Sequence, residues 1–147
     1  MMHIYTDGGC SGNPGPGGWA YVVIQDGLVA AEEWGGERNT TNNRMELLAV
    51  IRALKALQAR GDPPKDLTLY TDSQYVQKGI SEWIHNWKKN AWRTSDKKPV
   101  KNQDLWMDLD DRAAAFSIAW KWVKGHAGNE YNERCDALTQ KAIASLR

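Results

Sequence analysis

Cysteine is scarce in this chain, with Cys10 and Cys135 alone among 147 residues. They stand far apart and no C-x-x-C spacing occurs, which excludes a disulfide framework and a cysteine-held metal. Nowhere do ~20 apolar residues run unbroken, so a transmembrane helix is excluded. The N-terminus, Met1-Met2-His3-Ile4-Tyr5-Thr6-Asp7, lacks a basic region followed by an apolar one, and no secretory signal is expected. An excess of one charge is also missing: 19 Lys plus Arg against 18 Asp plus Glu leave a net +1. These absences point to a cytoplasmic protein with free thiols and no membrane attachment. Apolar residues at 41% and charged residues at 25% argue against disorder, and the length suits a single domain over 1–147 with one core.

The even net charge hides a local surplus. Between Lys78 and Gln103 lie Lys78, Lys88, Lys89, Arg93, Lys97, Lys98 and Lys101 against only Glu82 and Asp96. Such a patch suits a nucleic-acid backbone, and equally an ordinary solvated face.

Hydrophobic periodicity sets out the elements. His3 to Thr6 and Trp19 to Ile24 read as strands. The glycine-rich stretch from Gly8 to Gly18 reads as a long turn between them. Asp26-Gly27 signals a hairpin into a third strand, Leu28 to Trp34, which Gly35-Gly36 should end. Arg44 to Arg60 has no Gly or Pro and predicts the longest helix, with N-cap candidates among Thr40, Thr41, Asn42 and Asn43. Leu67 to Thr71 is a fourth strand. Ser73 to Lys78 and Ser81 to Lys89 predict short helices broken at Gly79, and Lys101 to Arg112 an amphipathic one. Phe116 to Val123 is a fifth strand, Lys124 to Gly128 a loop, and Tyr131 to Leu146 the last helix. The order β-β-β-α-β-α-β-α implies an α/β fold. A hairpin meander, a right-handed crossover and parallel strands make a mixed five-stranded sheet with helices on both faces.

Two strands end alike, in Tyr5-Thr6-Asp7 and Tyr70-Thr71-Asp72. If the crossover joins neighbouring parallel strands, both carboxylates lie at one sheet edge, about 4.8 Å apart in strand spacing. Each alone reads equally well as a turn or cap residue. Glu46 falls on the core-facing arc of the long helix, where a carboxylate is costly unless compensated. It also fits a capping box, Asn43-x-x-Glu46. Asp136 near the start of the last helix carries little weight alone, since acids there often serve the helix dipole. Four converging carboxylates repel unless cations answer them. Oxygen ligands without a His/Cys cluster favour magnesium or manganese over zinc, and two such ions ~4 Å apart suit in-line phosphoryl chemistry.

Other features stay ambiguous on residue chemistry alone. Gly15-Pro16-Gly17-Gly18-Trp19-Ala20 matches G-x-G-x-x-A, but a strand pattern follows it, which rejects a dinucleotide fingerprint. His126 between Gly125 and Gly128 is able to shuttle protons, or to do nothing. Ile80, Trp83, Ile84 and Trp87 recur at i, i+3, i+4, i+7, a core stripe first of all. Trp92, among polar residues, is the tryptophan more available to a ligand.

The residues then match a family across almost the whole chain. Tyr-Thr-Asp-Gly-Gly (5–9), Gly-Asn-Pro-Gly-Pro-Gly-Gly (12–18) and Thr-Thr-Asn-Asn-Arg-Met-Glu-Leu (40–47) are followed by Thr-Asp-Ser-Gln-Tyr-Val (71–76). Trp-Ile-His-Asn-Trp-Lys-Lys (83–89), Trp-Val-Lys-Gly-His-Ala-Gly (122–128) and Asn-Glu-Arg-Cys-Asp (132–136) complete the set. The chain resembles type 1 ribonuclease H, most closely the compact bacterial form. The resemblance implies a ribonuclease H-like fold; nothing in the sequence suggests more than a monomer or an obligate protein partner. It implies a two-metal endoribonuclease that cuts the RNA strand of RNA–DNA hybrids, leaving 5′-phosphate and 3′-hydroxyl ends. By the same resemblance Asp7, Glu46, Asp72 and Asp136 hold the metals, and His126 assists turnover. Asn13, Asn42 and Gln74 meet the RNA, and Thr41 and Asn102 grip a DNA phosphate. Trp83, Trp87, Lys88 and Lys89 belong to the basic protrusion along the DNA strand. One departure is Asn39, two before Thr41, where some relatives carry Arg. Two other functions share the fold class: a non-catalytic nucleic-acid-binding module, and a DNA-directed metal nuclease.

Overall fold

Alternation along the central strands sends successive side chains to opposite faces, and here both faces are covered. On β1 (Met2–Cys10) Met2 and Ile4 enter one apolar cluster and Tyr5 the other. On β2 (Gly15–Gln25) Trp19, Tyr21 and Val23 take the first side, Ala20, Val22 and Ile24 the second. Residues 2–61, 63–123 and 129–146 are described by the structure, a computed structural model. The remaining elements are β3 (Leu28–Thr40), α1 (Asn42–Gln58), β4 (Asp66–Thr71), α2 (Gln74–Lys78), a π-helical turn (Gly79–Trp83), α3 (Ile84–Lys89), α4 (Gln103–Ala113), β5 (Ser117–Trp122) and α5 (Glu130–Ala144). The five strands form one mixed sheet in the order β3-β2-β1-β4-β5. β1 pairs antiparallel with β2 and parallel with β4, and β4 pairs parallel with β5. α1 packs on β1 and β2, and α5 on β2, β1 and β3.

The first cluster takes Leu47, Val50, Leu54 and Leu57 from α1, Leu67 and Leu69 from β4, and Trp106 and Leu109 from α4. Each such aliphatic side chain contributes about 1.5–3 kcal/mol when fully buried. The second, smaller cluster closes on Cys135 of α5. β3, at the sheet edge, is exposed along nearly its whole length.

The element order and the mixed sheet are as expected from the sequence, and several boundaries are not. The glycine-rich stretch is not a long turn: β1 runs to Cys10 and β2 starts at Gly15, with Cys10 opposite Gly17. Backbone pairing carries both strands through residues that have no β propensity of their own. β3 likewise does not stop at Gly35-Gly36, which pair with Trp19 and Gly18, and it continues to Thr40. The helices around Gly79 are not broken there; the chain passes through a π turn. Gly79 is buried, and a Cβ on it would lie 2.0 Å from the Trp106 ring. It is present for close approach of that indole rather than as a helix stop. Trp92 is less available than its polar neighbours suggest: it is half-buried, its ring lies 6.2 Å from Trp87, and it packs on the first cluster.

Candidate active site

The parallel register of β1 and β4 pairs Tyr5 with Tyr70 and Thr6 with Thr71, so Asp7 and Asp72 follow at the same edge. α1 adds Glu46. A Cβ at Gly8 would lie 2.4 Å from the Met45 carbonyl carbon and 2.5 Å from the Glu46 nitrogen. Only a glycine lets the helix backbone come this close to the strand end. One oxygen from each of Asp7, Glu46 and Asp72 lies within 4.8 Å of the other two.

The capping-box reading of Glu46 does not hold. The N-cap of α1 is Thr41, whose hydroxyl accepts from the Arg44 N–H at 3.3 Å. Arg44 occupies the third helical position, and Glu46 sits beyond it as the one charged residue among those α1 buries, 7% exposed. Asp136 is likewise past the first turn of α5, whose N-cap is Asn129, so it lies beyond the reach of the usual dipole role. It lines the same cleft and raises the Asp7 carboxyl by its charge, but it stands outside the tight group of three.

The electrostatics follow from burial and like charge. Asp7 is 6% exposed. Desolvation, then the charge of Asp72 and the smaller one of Asp136, push its carboxyl up to about 8, against hydrogen bonds from Thr139 and the Gly8 backbone. Glu46 is held well above the usual carboxylate range by burial and by Asp7 and Asp72, opposed by Gly8 and Ser73. The three acids are therefore kept together at a cost that a divalent cation would remove. The donor set, oxygen only, suits a hard cation.

The cleft holds about 570 Å³ and is also lined by Asn42 and Gln74, two of the residues expected to meet RNA. Asn13 is tied to it, its Oδ1 accepting from the Asn42 N–H at 3.1 Å. Thr41 and Asn102 meet through Arg44, which lies in the Thr41-capped turn and donates to Asn102 Oδ1 at 3.3 Å. The Trp83 and Trp87 rings lie 5.9 Å apart, tilted at 47°, both half-buried, and Trp87 packs on the first cluster. Lys88 and Lys89 are exposed at the end of α3, and Lys88 meets Asp110 at 3.3 Å. His126 lies outside the described residues. Cys135, fully buried, gives its thiol to the carbonyls of Tyr5 and Ala20, and burial raises it well above the usual thiol range.

Sequence reasoning missed four side chains. Ser73 and Thr139 bond the buried acids. Thr139 was findable, since it stands three residues after Asp136 on one helix face. Tyr75 and Arg44, which hold Asn102, gave no signal, because their partners come from distant elements.

The family model for RNase H matches residues 1–144. A ribonuclease H of Chromobacterium violaceum is 57% identical over 146 residues, which cover 99% of this chain and 96% of that one. The crystal structure of LC9-RNase H1, a type 1 RNase H with the type 2 active-site motif, has a TM-score of 0.85 at 31% identity, covering 99% of this chain and 73% of that one. LC11-RNase H1 in complex with an RNA/DNA hybrid has a TM-score of 0.76 at 25% identity, covering 99% and 98%.

Proposed function

The chain belongs to the ribonuclease H family of hydrolases, as a type 1 member of the compact bacterial kind, and from that premise we propose that it hydrolyses the RNA strand of RNA–DNA hybrids at Asp7, Glu46 and Asp72. One observation carries the reading: three carboxylates within 4.8 Å of one another, with Asp7 driven up to about 8 by burial and mutual repulsion. A pure binding module has no use for an arrangement that costs stability and attracts no polyanion by itself.

Asp7, Glu46 and Asp72 would hold magnesium, with Asp136 completing the set for a second ion and manganese as a substitute. Such ions would supply the activation of water and the charge that answers the leaving oxygen, the chemistry that yields 5′-phosphate and 3′-hydroxyl products. The chain's own residues do the rest. Gly8, Ser73 and Thr139 hold the carboxylates in place through hydrogen bonds. Asn42 and Gln74 line the cleft with amide groups suited to 2′-hydroxyls, and Asn13 braces Asn42. Thr41 and Asn102 offer neutral donors to a phosphate of the DNA strand. Lys88 and Lys89, with Trp83 and Trp87 of the same helical stretch, follow that strand further on. His126 is proposed to assist turnover on the strength of the resemblance. The same reading takes the molecule as a cytoplasmic monomer, consistent with its free thiols.

The test is a cleavage assay on matched RNA–DNA, RNA–RNA and DNA–DNA duplexes with magnesium and with EDTA. Cleavage of the RNA strand in the hybrid alone, and only with metal, is the expected result. Binding without cutting would identify a non-catalytic module, and cutting of DNA–DNA a DNA-directed nuclease.

A further inference from the structure

We propose that a tyrosine-walled pocket on the second face of the sheet binds a small organic cation bearing a quaternary ammonium group. Strand register builds the wall. Tyr5 of β1 lies opposite Tyr70 of β4, and His3 opposite Ile24 of β2. Alternation sends all four to the face of the second cluster. The Tyr5 and Tyr70 rings stack at 4.4 Å, 5° from parallel. His3 Nδ1 lies 3.0 Å from the Tyr70 hydroxyl and fixes that ring from the other side. Tyr131, in the first turn of α5, adds a ring 5.5 Å from Tyr5, tilted at 43°. Its hydroxyl donates to the Gly27 carbonyl at 3.4 Å and ties the helix start to the β2–β3 hairpin. The pocket holds about 410 Å³, a size that suits a small molecule. It shares no lining residue with the carboxylate cleft, so the inference stands apart from the hybrid reading.

The charge of the ligand follows from the lining. Asp26 is the carboxylate at this pocket, and among the described residues no lysine or arginine lines it. Asp26 and Gly27 have φ of 53° and 80°, and Gln25 pairs with Leu28, which makes a two-residue hairpin turn. Asn meets the demands of that turn as well as Asp does, so the turn does not require the charge. Aromatic rings, a carbonyl and a carboxylate all present negative potential, which repels an anion and gives a neutral molecule no use for Asp26. A primary ammonium needs acceptors for three N–H groups. Here the Gly27 carbonyl already accepts from Tyr131, and the Tyr70 hydroxyl is engaged with His3. A quaternary ammonium needs no hydrogen bond and sheds its water readily. It gains from aromatic rings and from one nearby carboxylate. The bonds among His3, Tyr70, Tyr131 and Gly27 hold the wall in place before the cation arrives.

The test is a titration of the isotope-labelled protein with choline chloride in EDTA, followed by amide chemical shifts, with total chloride held constant by sodium chloride. The Gly27 and Tyr131 signals should shift and saturate with a Kd on the order of 1 mM. The neutral carbon isostere of choline, 3,3-dimethyl-1-butanol, should bind at least about tenfold more weakly. Asp26→Asn keeps the hairpin turn and should raise the choline Kd about fivefold, the effect of one exposed charge pair. Tyr131→Leu should weaken binding by about as much, while Tyr131→Phe, which keeps the ring, should stay within about twofold of the wild type. Thermal unfolding of each variant checks that it is folded, and Asp26→Asn decides the matter if Tyr131→Leu is not. Shifts that do not saturate, or that fall only around Asp7, Glu46 and Asp72, overturn the proposal. So does an isostere that binds as well as choline, or an Asp26→Asn protein with the wild-type affinity.

Discussion

Asp7 is the residue on which the chemistry and the stability of this molecule pull in opposite directions. Its carboxyl titrates near 8 in the folded, metal-free chain, against roughly 3.9 when unfolded. Below about pH 4 it is protonated in both states and contributes nothing. Between pH 4 and 8 the unfolded chain ionises while the folded chain does not, so stability is lost as pH rises, fully so above about 8. In EDTA, unfolding by denaturant should therefore show stability falling over that window, and Asp7→Asn should flatten the fall, gaining on the order of 2 kcal/mol at pH 8. Stability that rises from pH 4 to 8 through this site would contradict the repulsion account. The acids themselves were legible in the sequence: Tyr-Thr-Asp occurs twice, and Glu46 breaks an apolar arc. Their depth was not, because burial of Asp7 depends on α5 and α1, which the local sequence does not specify. The same holds for Ser73 and Thr139, whose hydroxyls matter only through what the fold brings beside them.

At the scale of elements, the site depends on how near the start of α1 comes to the end of β1. Gly8 permits it, with backbone atoms of Met45 and Glu46 where a Cβ would be. Gly8→Ala forces strand and helix apart, since neither obstacle is a movable side-chain tip. It should destabilise by about 2–3 kcal/mol and lower magnesium-dependent cleavage more than tenfold, because Glu46 moves with the helix. Unfolding and cleavage measured on one preparation check both, and a variant unchanged in either is against the account. Element type was readable wherever one pattern ruled: the Leu- and Ala-rich run of α1 and the alternation of β5 are examples. It was misread where pairing partners override local propensity. Glycines 8, 9, 17 and 18 lie within strands because β1 and β2 pair through them, and Gly79 lies within a helical stretch because Trp106 needs its space.

Over the whole molecule, the hybrid-cutting proposal takes the strand ends and the basic segment as the working surface of a sheet covered on both sides. Charge arithmetic located that segment, but only the fold shows that its cations differ. Lys88 lies 3.3 Å from Asp110, which answers part of its charge. Lys89→Ala should accordingly flatten the salt dependence of hybrid binding by about one unit of log–log slope, and Lys88→Ala by less. Equal slopes for wild type and both variants would return the segment to an ordinary solvated face. Metal dependence belongs to this scale as well, since the three acids come from β1, α1 and β4, and no single element holds a cation. The most direct measurement is the rate of RNA-strand cleavage in a hybrid as magnesium is titrated, for the wild type and for Asp7→Asn. The account predicts no cleavage in EDTA, recovery with magnesium, and a rate for Asp7→Asn lower by on the order of 10³-fold in a protein that remains folded. Wild-type cleavage that persists in EDTA, or Asp7→Asn cutting at the wild-type rate, would contradict it.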